Sequence, residues 1–339
     1  MTTKHAKTAA PARQFGVGLV ELMVALIIGL FLILGAVTIY SQSRKTFRTT
    51  EAVARLQENA RYALDVMEPD VRMASYWGLA NRSDYIINRA APTADTPADL
   101  SAAETLIDEC GNNWLINLEQ FIEGWNGNGA TAFGLGCDAF QDDWRPDTDI
   151  LVVRRGGENQ PATLVNTRLY LQTSRIQGTI FRHASTTCTD PKNPACIPAD
   201  YSPPASETRE LMTTAYYIAN SSTARGDVPS LRRKRLVAGA ILDEEVVSGV
   251  EDLQVRFAVD TTGDMNADAY VDPEANPADY GGPIVAATIW LRIRAEEPEF
   301  GFADDNAYVY ADVNQAASND NFRRIVVSKT IQLRNTPRT

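Results

Sequence analysis

The sequence predicts an α+β chain: one long N-terminal helix, then an antiparallel β-sheet domain with long loops. Three observations carry this expectation. An apolar N-terminal run passes directly into residues that repeat at steps of three or four. Period-two alternation of apolar and polar residues recurs through the second half. Loops rich in Gly, Pro, Asp and Asn separate these runs, notably 91–99, 189–204 and 272–283. A helix followed by strands places the sheet against the second half of that helix.

The apolar part of the helix is Leu22 to Tyr40, a stretch without a charged residue. At helical rise it spans roughly 30 Å, the thickness of a bilayer's hydrocarbon core. Residues 1–16 carry Lys4, Lys7 and Arg13 and no acid. That asymmetry keeps the N-terminus in the cytoplasm and sends everything after Tyr40 across the membrane. A cleaved secretory signal calls for a shorter apolar core with small residues at its end. A plain signal anchor fits the length, but Glu21 stands at the start of the run. A carboxylate entering a membrane is costly unless paired. A cut between Gly16 and Val17 creates a cationic amine that can supply the partner, with Glu21 as the fifth residue of the mature chain.

Past the membrane run, Val53, Leu56, Ala60, Leu64, Met67 and Val71 mark one helical face. Arg55, Glu58, Arg61, Asp65 and Glu68 occupy the opposing surface, and Pro69 is expected to kink or end the helix. The predicted organisation is a leader at 1–16, a membrane and assembly helix at 17–40, its amphipathic continuation at 41–78, and a β-rich domain at 79–339. Strands are predicted at Ile150–Val153, around Leu253–Val259, around Ile289–Ile293, and within Phe322–Leu333.

With 339 residues the chain is long enough to bury a sizeable core, and its net charge of −11 argues against a bulk nucleic-acid binder. Its two histidines, His5 and His183, exclude metal sites built on several imidazoles. There is no Gly-x-Ser-x-Gly, phosphate loop or His-Glu-x-x-His, so no enzymatic activity is expected. His183 is expected at the surface. The basic run Arg232–Arg235 is expected to be a solvated edge strand, with nucleic-acid contact as the weaker alternative.

Cys110, Cys137, Cys188 and Cys196 all lie in the extracytoplasmic part, where an even count reads as disulfides with three connectivities. Sequence proximity favours Cys110 with Cys137 and Cys188 with Cys196. Zinc is disfavoured, because neither a Cys-x-x-Cys spacing nor a nearby His pair is present. Asp260, Thr262, Asp264, Asn266 and Asp268 place oxygen side chains at alternate positions, a pattern that can hold calcium weakly. The competing reading is an Asp/Asn/Gly hairpin turn. Met265 stands where a calcium loop has its turn glycine. No cofactor is required by anything else in the sequence.

The segment Gly16-Val17-Gly18-Leu19-Val20-Glu21-Leu22 resembles the class III signal of type IV pilins and type II secretion pseudopilins. That resemblance implies cleavage after Gly16 by a prepilin peptidase, N-methylation of Val17, and a role for Glu21 in subunit assembly. Val17 stands where most members have Phe or Met. The segments Glu51–Asp65, Val71–Gly78, Pro229–Arg232, Val246–Gln254 and Arg324–Asn335 look like the PilW minor pilins. The resemblance implies a pilin-like fold and a structural protein that primes pilus assembly and sits at the tip. Implied partners are other minor pilins, the major pilin, the inner-membrane assembly platform and a large tip adhesin. The implied location is the bacterial inner membrane, with the C-terminal domain in the periplasm, and then the extracellular pilus. A type II secretion pseudopilin is the alternative function, and a signal-anchored periplasmic enzyme or binding module is a third.

Overall fold

A computed structural model describes residues 16, 18–87, 114–127, 143–166, 168–183, 206–237, 240–273 and 280–336. Helix α1 covers Leu19–Arg72. The chain divides into two units, Met1–Glu51 and Ala52–Thr339. In the first unit, the helix exposes apolar side chains around its whole circumference, from Leu19 to Tyr40. A helix that is apolar on all sides needs an apolar environment. Among the described residues it is the one helix long and apolar enough to cross a membrane. Thr38, Thr46 and Thr50 donate their hydroxyls to the carbonyls four residues back, at 2.8, 3.0 and 2.9 Å. Their polar groups are thereby satisfied within the helix.

In the second unit α1 becomes one-sided. Leu56, Ala60, Leu64, Met67 and Val71 are buried as the spacing predicts, and Ala63 joins them. Pro69 does not end the helix on its own: the helix continues to Arg72, and Met73 N–H donates to the Pro69 carbonyl at 3.0 Å. Proline so near the end removes one helical bond where few remain to be lost. The helix thus stops short of the expected limit at 78, and Ser75, at φ 62°, turns the chain.

Among the described residues, fourteen strands follow. They are β1 (Ile86–Ile87), β2 (Ile122–Trp125), β3 (Ile150–Gly156), β4 (Leu169–Thr173), β5 (Gly178–Arg182), β6 (Glu207–Ala219) and β7 (Ser230–Val237). Next come β8 (Ala240–Ser248), β9 (Val250–Val259), β10 (Ala269–Val271), β11 (Ile284–Arg294), β12 (Tyr308–Tyr310), β13 (Val313–Gln315) and β14 (Arg324–Gln332). An eight-stranded sheet runs β1-β5-β4-β6-β3-β2, with β7 beside β6 and β8 beside β7. A four-stranded sheet runs β10-β9-β11-β14, and β12 and β13 form a hairpin. All pairings are antiparallel except β1 with β5, which is parallel. This is the α+β class that the sequence predicts.

The main core lies between α1, the four-stranded sheet and one face of the eight-stranded sheet. Leu151, Val153, Tyr216 and Ile218 face it. Their neighbours Ile150, Val152, Ala215 and Tyr217 face a second core beneath Trp77, Leu115 and Trp144. Residues that alternate between two cores leave no polar face to show in the sequence. The strand around Leu253 is also covered on both sides, not half-buried: Asp252 and Gln254 are buried opposite the core face. Tyr310 donates to Asp252, and Gln254 Nε2 donates to the Asp147 carbonyl at 3.2 Å.

Two further expectations are corrected. His183 is buried, not at the surface. The run Arg232–Arg235 lies on β7, which pairs with β6 on one side and β8 on the other, so it is not an edge.

Candidate processing and assembly site

Gly16 is exposed, and a Cβ built on it meets nothing within 4 Å. Val17 lies outside the described residues, so the cleavage junction expected from the sequence is described on its glycine side alone. The helix begins just beyond, where Leu22 N–H donates to the Gly18 carbonyl at 3.1 Å. Glu21 is therefore in the first turn, with its carboxylate near the unsatisfied amides of the helix N-terminus. It is exposed and has no ion-pair partner among the described residues. Leu19, Val20 and Leu22 around it are exposed as well. The result is one carboxylate set in an apolar surface, five residues after the exposed Gly16.

At the other end of the helix is an acid the sequence reading did not single out. Asp70 Oδ1 accepts from Arg155 Nε and Nη2 at 2.9 and 2.7 Å, and its Oδ2 accepts from the Tyr216 hydroxyl at 2.7 Å. All three residues are buried, so helix, β3 and β6 share one largely desolvated polar contact. Burial and the Asp70 charge push the Tyr216 hydroxyl well above its ordinary range, so it stays a donor. The sequence does hold the signal: Asp70 follows Met67 by three on the apolar stripe. Glu68, placed on the outer face by its spacing, reaches Lys329 of β14. The Lys329 contact leads in lowering the Glu68 carboxyl below its usual range, and Arg72 adds to it.

The basic run on β7 meets an acidic run on β8. Arg232 reaches Asp243 at 3.0 Å, and Arg233 and Arg235 reach Glu244 at 3.1 and 2.9 Å. Hydrogen bonding from Arg235 leads in holding the Glu244 carboxyl low. These cations are matched by carboxylates within the sheet.

The segment Asp260–Asp268 forms a tight turn between β9 and β10. Asp260 accepts from the amides of Thr262, Gly263 and Met265 at 3.0, 2.7 and 2.7 Å. Asp268 accepts from the amides of Thr261 and Thr262 and from the Thr261 hydroxyl, at 2.8, 3.0 and 3.0 Å. Asp264 accepts from Asn266. The loop therefore brings Asp260 and Asp268 to one turn, where their oxygens serve its amides. Among the described residues no group of three His, Cys, Asp or Glu is placed to hold a metal. Cys110, Cys137, Cys188 and Cys196 lie outside the described residues.

Residues 215–335 match the model of the PilW family, described as Type IV Pilus-assembly protein W. No curated protein matches the chain. Among solved structures, a type IV-like pilin from Thermus thermophilus aligns at 17 % identity, covering 38 % of this chain and 70 % of that one. Its TM-score of 0.27 is too low for the likeness to carry any argument here. The matched residues begin in β6 and run through β14, and they include Pro229–Arg232, Val246–Gln254 and Arg324–Asn335. Residues 215–335 are thus similar to the PilW family, in a chain that also carries a long apolar N-terminal helix.

Proposed function

We propose that this chain is a minor pilin of a bacterial type IV pilus: a membrane-anchored assembly protein, not an enzyme. One observation carries the reading: a PilW-type sheet segment stands behind an apolar helix whose first turn holds Glu21, five residues after Gly16. Before assembly the helix sits in the inner membrane, with the sheet domain on the periplasmic side. A prepilin peptidase removes residues 1–16 and methylates Val17. The subunit then joins other minor pilins to start a fibre and remains near its tip, where a large adhesin can be carried.

The chemistry of assembly follows from Glu21. In hydrocarbon an ionised carboxylate is costly, and a cationic amine beside it removes most of that cost. The amine of a neighbouring subunit's first residue offers such a pairing as the helix leaves the bilayer. Within one helix the two groups lie four residues apart, so pairing inside the subunit competes with pairing between subunits. Drawing the helix out of lipid into a bundle keeps its apolar surface covered throughout.

A type II secretion pseudopilin shares the N-terminal signal and is the alternative. Shearing cells and testing the released fibres for this chain separates the two. The minor-pilin reading requires the chain in surface fibres, and confinement to membranes with secretion lost on its deletion overturns it.

A further inference from the structure

The connection from β11 to β14 carries a segment that holds to the sheet by side chains alone. At its base the two arms pair. Ala295 N–H donates to the Arg323 carbonyl, Glu299 N–H to the Asn321 carbonyl and Asp304 N–H to the Asp320 carbonyl, each at 2.8 Å. Asn319 N–H closes the base on the Asp304 carbonyl at 2.9 Å. Beyond this closure, residues 305–318 contain the β12–β13 hairpin. Among the described residues, no main-chain hydrogen bond joins 305–318 to the rest of the chain. Tyr308 and Tyr310 are its buried side chains, and neither belongs to an apolar core. Val309 between them is exposed.

Polar side chains hold this segment down. The Tyr310 hydroxyl donates to Asp252 of β9, and Arg292 Nη1 of β11 donates to Gln315 of β13. The Arg292 guanidinium also lies over the Tyr308 ring, 5.6 Å from its centre. Asn126, just after β2, donates to Asp312 at the hairpin tip at 3.1 Å. The Tyr308 hydroxyl donates back to both oxygens of Asp304 at the base, at 3.0 and 2.9 Å.

The charged groups beneath keep a partner when the hairpin leaves. Arg292 Nε donates to Glu251 at 2.7 Å, and Gln254 Nε2 donates to Asp252 at 3.0 Å. Asp304 is held by Arg324 Nη1 at 3.0 Å. The hairpin in turn keeps its own ladder. Breaking a buried pair from one side is expensive because a charge is stranded away from water. Here release strands none, and water reaches every freed group. Few buried apolar contacts are the mark of a segment that opens on its own. By contrast, β9 and β11 carry Leu253, Val255, Ile289 and Leu291 into the main core.

We propose that residues 305–318 form a strap that swings off the outer face of the four-stranded sheet while the sheet stays folded, with Tyr310–Asp252 and Gln315–Arg292 as its latches. Closed, the strap caps Glu251, Asp252 and Arg292, which are buried. Open, it presents them to solvent, so that one face of the domain switches between a capped and a charged surface. The device does not depend on how the chain is processed or assembled.

The test is hydrogen exchange of the detergent-solubilised full chain at several low denaturant concentrations, read by mass spectrometry. Protected amides in the 305–318 peptide should exchange roughly a hundredfold faster than those of β9 and β11, after correction for intrinsic rates. Their rates should also depend far less on denaturant, because strap opening exposes little surface. Tyr310→Phe keeps the ring and removes the donor to Asp252. It should speed exchange in 305–318 on the order of tenfold at the same shallow dependence. Exchange of 305–318 at the rate and denaturant dependence of β9 and β11 overturns the proposal. So does a Tyr310→Phe chain whose 305–318 amides exchange as slowly as before. If Tyr310→Phe fails to fold, the comparison within the unaltered chain decides alone.

Discussion

Arg155 on β3 grips Asp70 on α1 through two nitrogens of one guanidinium, at 2.9 and 2.7 Å, in a buried contact. The pair spans the last turn of the helix and the middle of the larger sheet. Tyr216 completes it, so the carboxylate has donors on both oxygens. A buried pair of this kind stabilises little against an apolar replacement, but is expensive to break from one side.

Asp70→Ala should therefore lower the stability of the sheet domain by about 3–5 kcal/mol, because it strands a buried guanidinium. Replacing Asp70 and Arg155 together with apolar residues of similar size should cost much less. Denaturant unfolding of the detergent-solubilised chain checks both. Equal losses in the single and double variants would show that the pair's burial is not the cause.

The ladder between β7 and β8 gives a milder effect. Glu244 takes Arg233 and Arg235. Glu244→Lys should destabilise by roughly 1 kcal/mol, in the range of cross-strand charge pairs, and the loss should shrink in high salt. A loss that does not change with salt would point to packing instead.

The turn at Asp260–Asp268 should loosen in acid. The Asp268 carboxyl is held low, first by the Thr261 amide and then by the Thr261 hydroxyl and the Thr262 amide. Its folded value lies below its unfolded one, so its stabilisation is present above the unfolded value near pH 4 and is lost as pH falls through the lower folded value. Amide exchange at Thr261 and Thr262 should speed up below about pH 4, and Asp268→Asn should show fast exchange already at neutral pH. Calcium at millimolar concentration should leave this exchange unchanged. Slowing by calcium would instead make the turn a cation site.

Glu21→Gln keeps the shape of the side chain and removes its charge. On the proposed reading cleavage depends on Gly16 and insertion on the apolar run, so processing and insertion should both be normal. Incorporation into fibres, or crosslinking to other minor pilins, should fall severalfold. Wild-type incorporation at native expression would show that the amine–carboxylate pairing is not what recruits this subunit.

The sequence made the helix legible because its two environments leave different patterns: uniform apolarity in the first half and a stripe from Leu56 to Val71 in the second. The strands around Leu253 and Ile289 were visible through their period of two. Strands β4, β5 and β6 were not predicted, and their burial on both faces explains why, as at Ala215 and Tyr217 against Tyr216 and Ile218. The run Arg232–Arg235 misled as an edge because Asp243–Glu245, which neutralise it, stand on the next strand. Asp70 was readable as an acid on an apolar stripe. The step of five from Gly16 to Glu21 is a local sequence pattern, and its use in processing and assembly is the proposal made above.

The central claim is that this chain is processed and assembled as a pilin, and the mass of its mature N-terminus tests that most directly. Chain isolated from its native membrane should begin at Val17, with one methyl group on the new amine and residues 1–16 absent. A mature protein still beginning at Met1, or cut beyond the apolar run, would contradict the account.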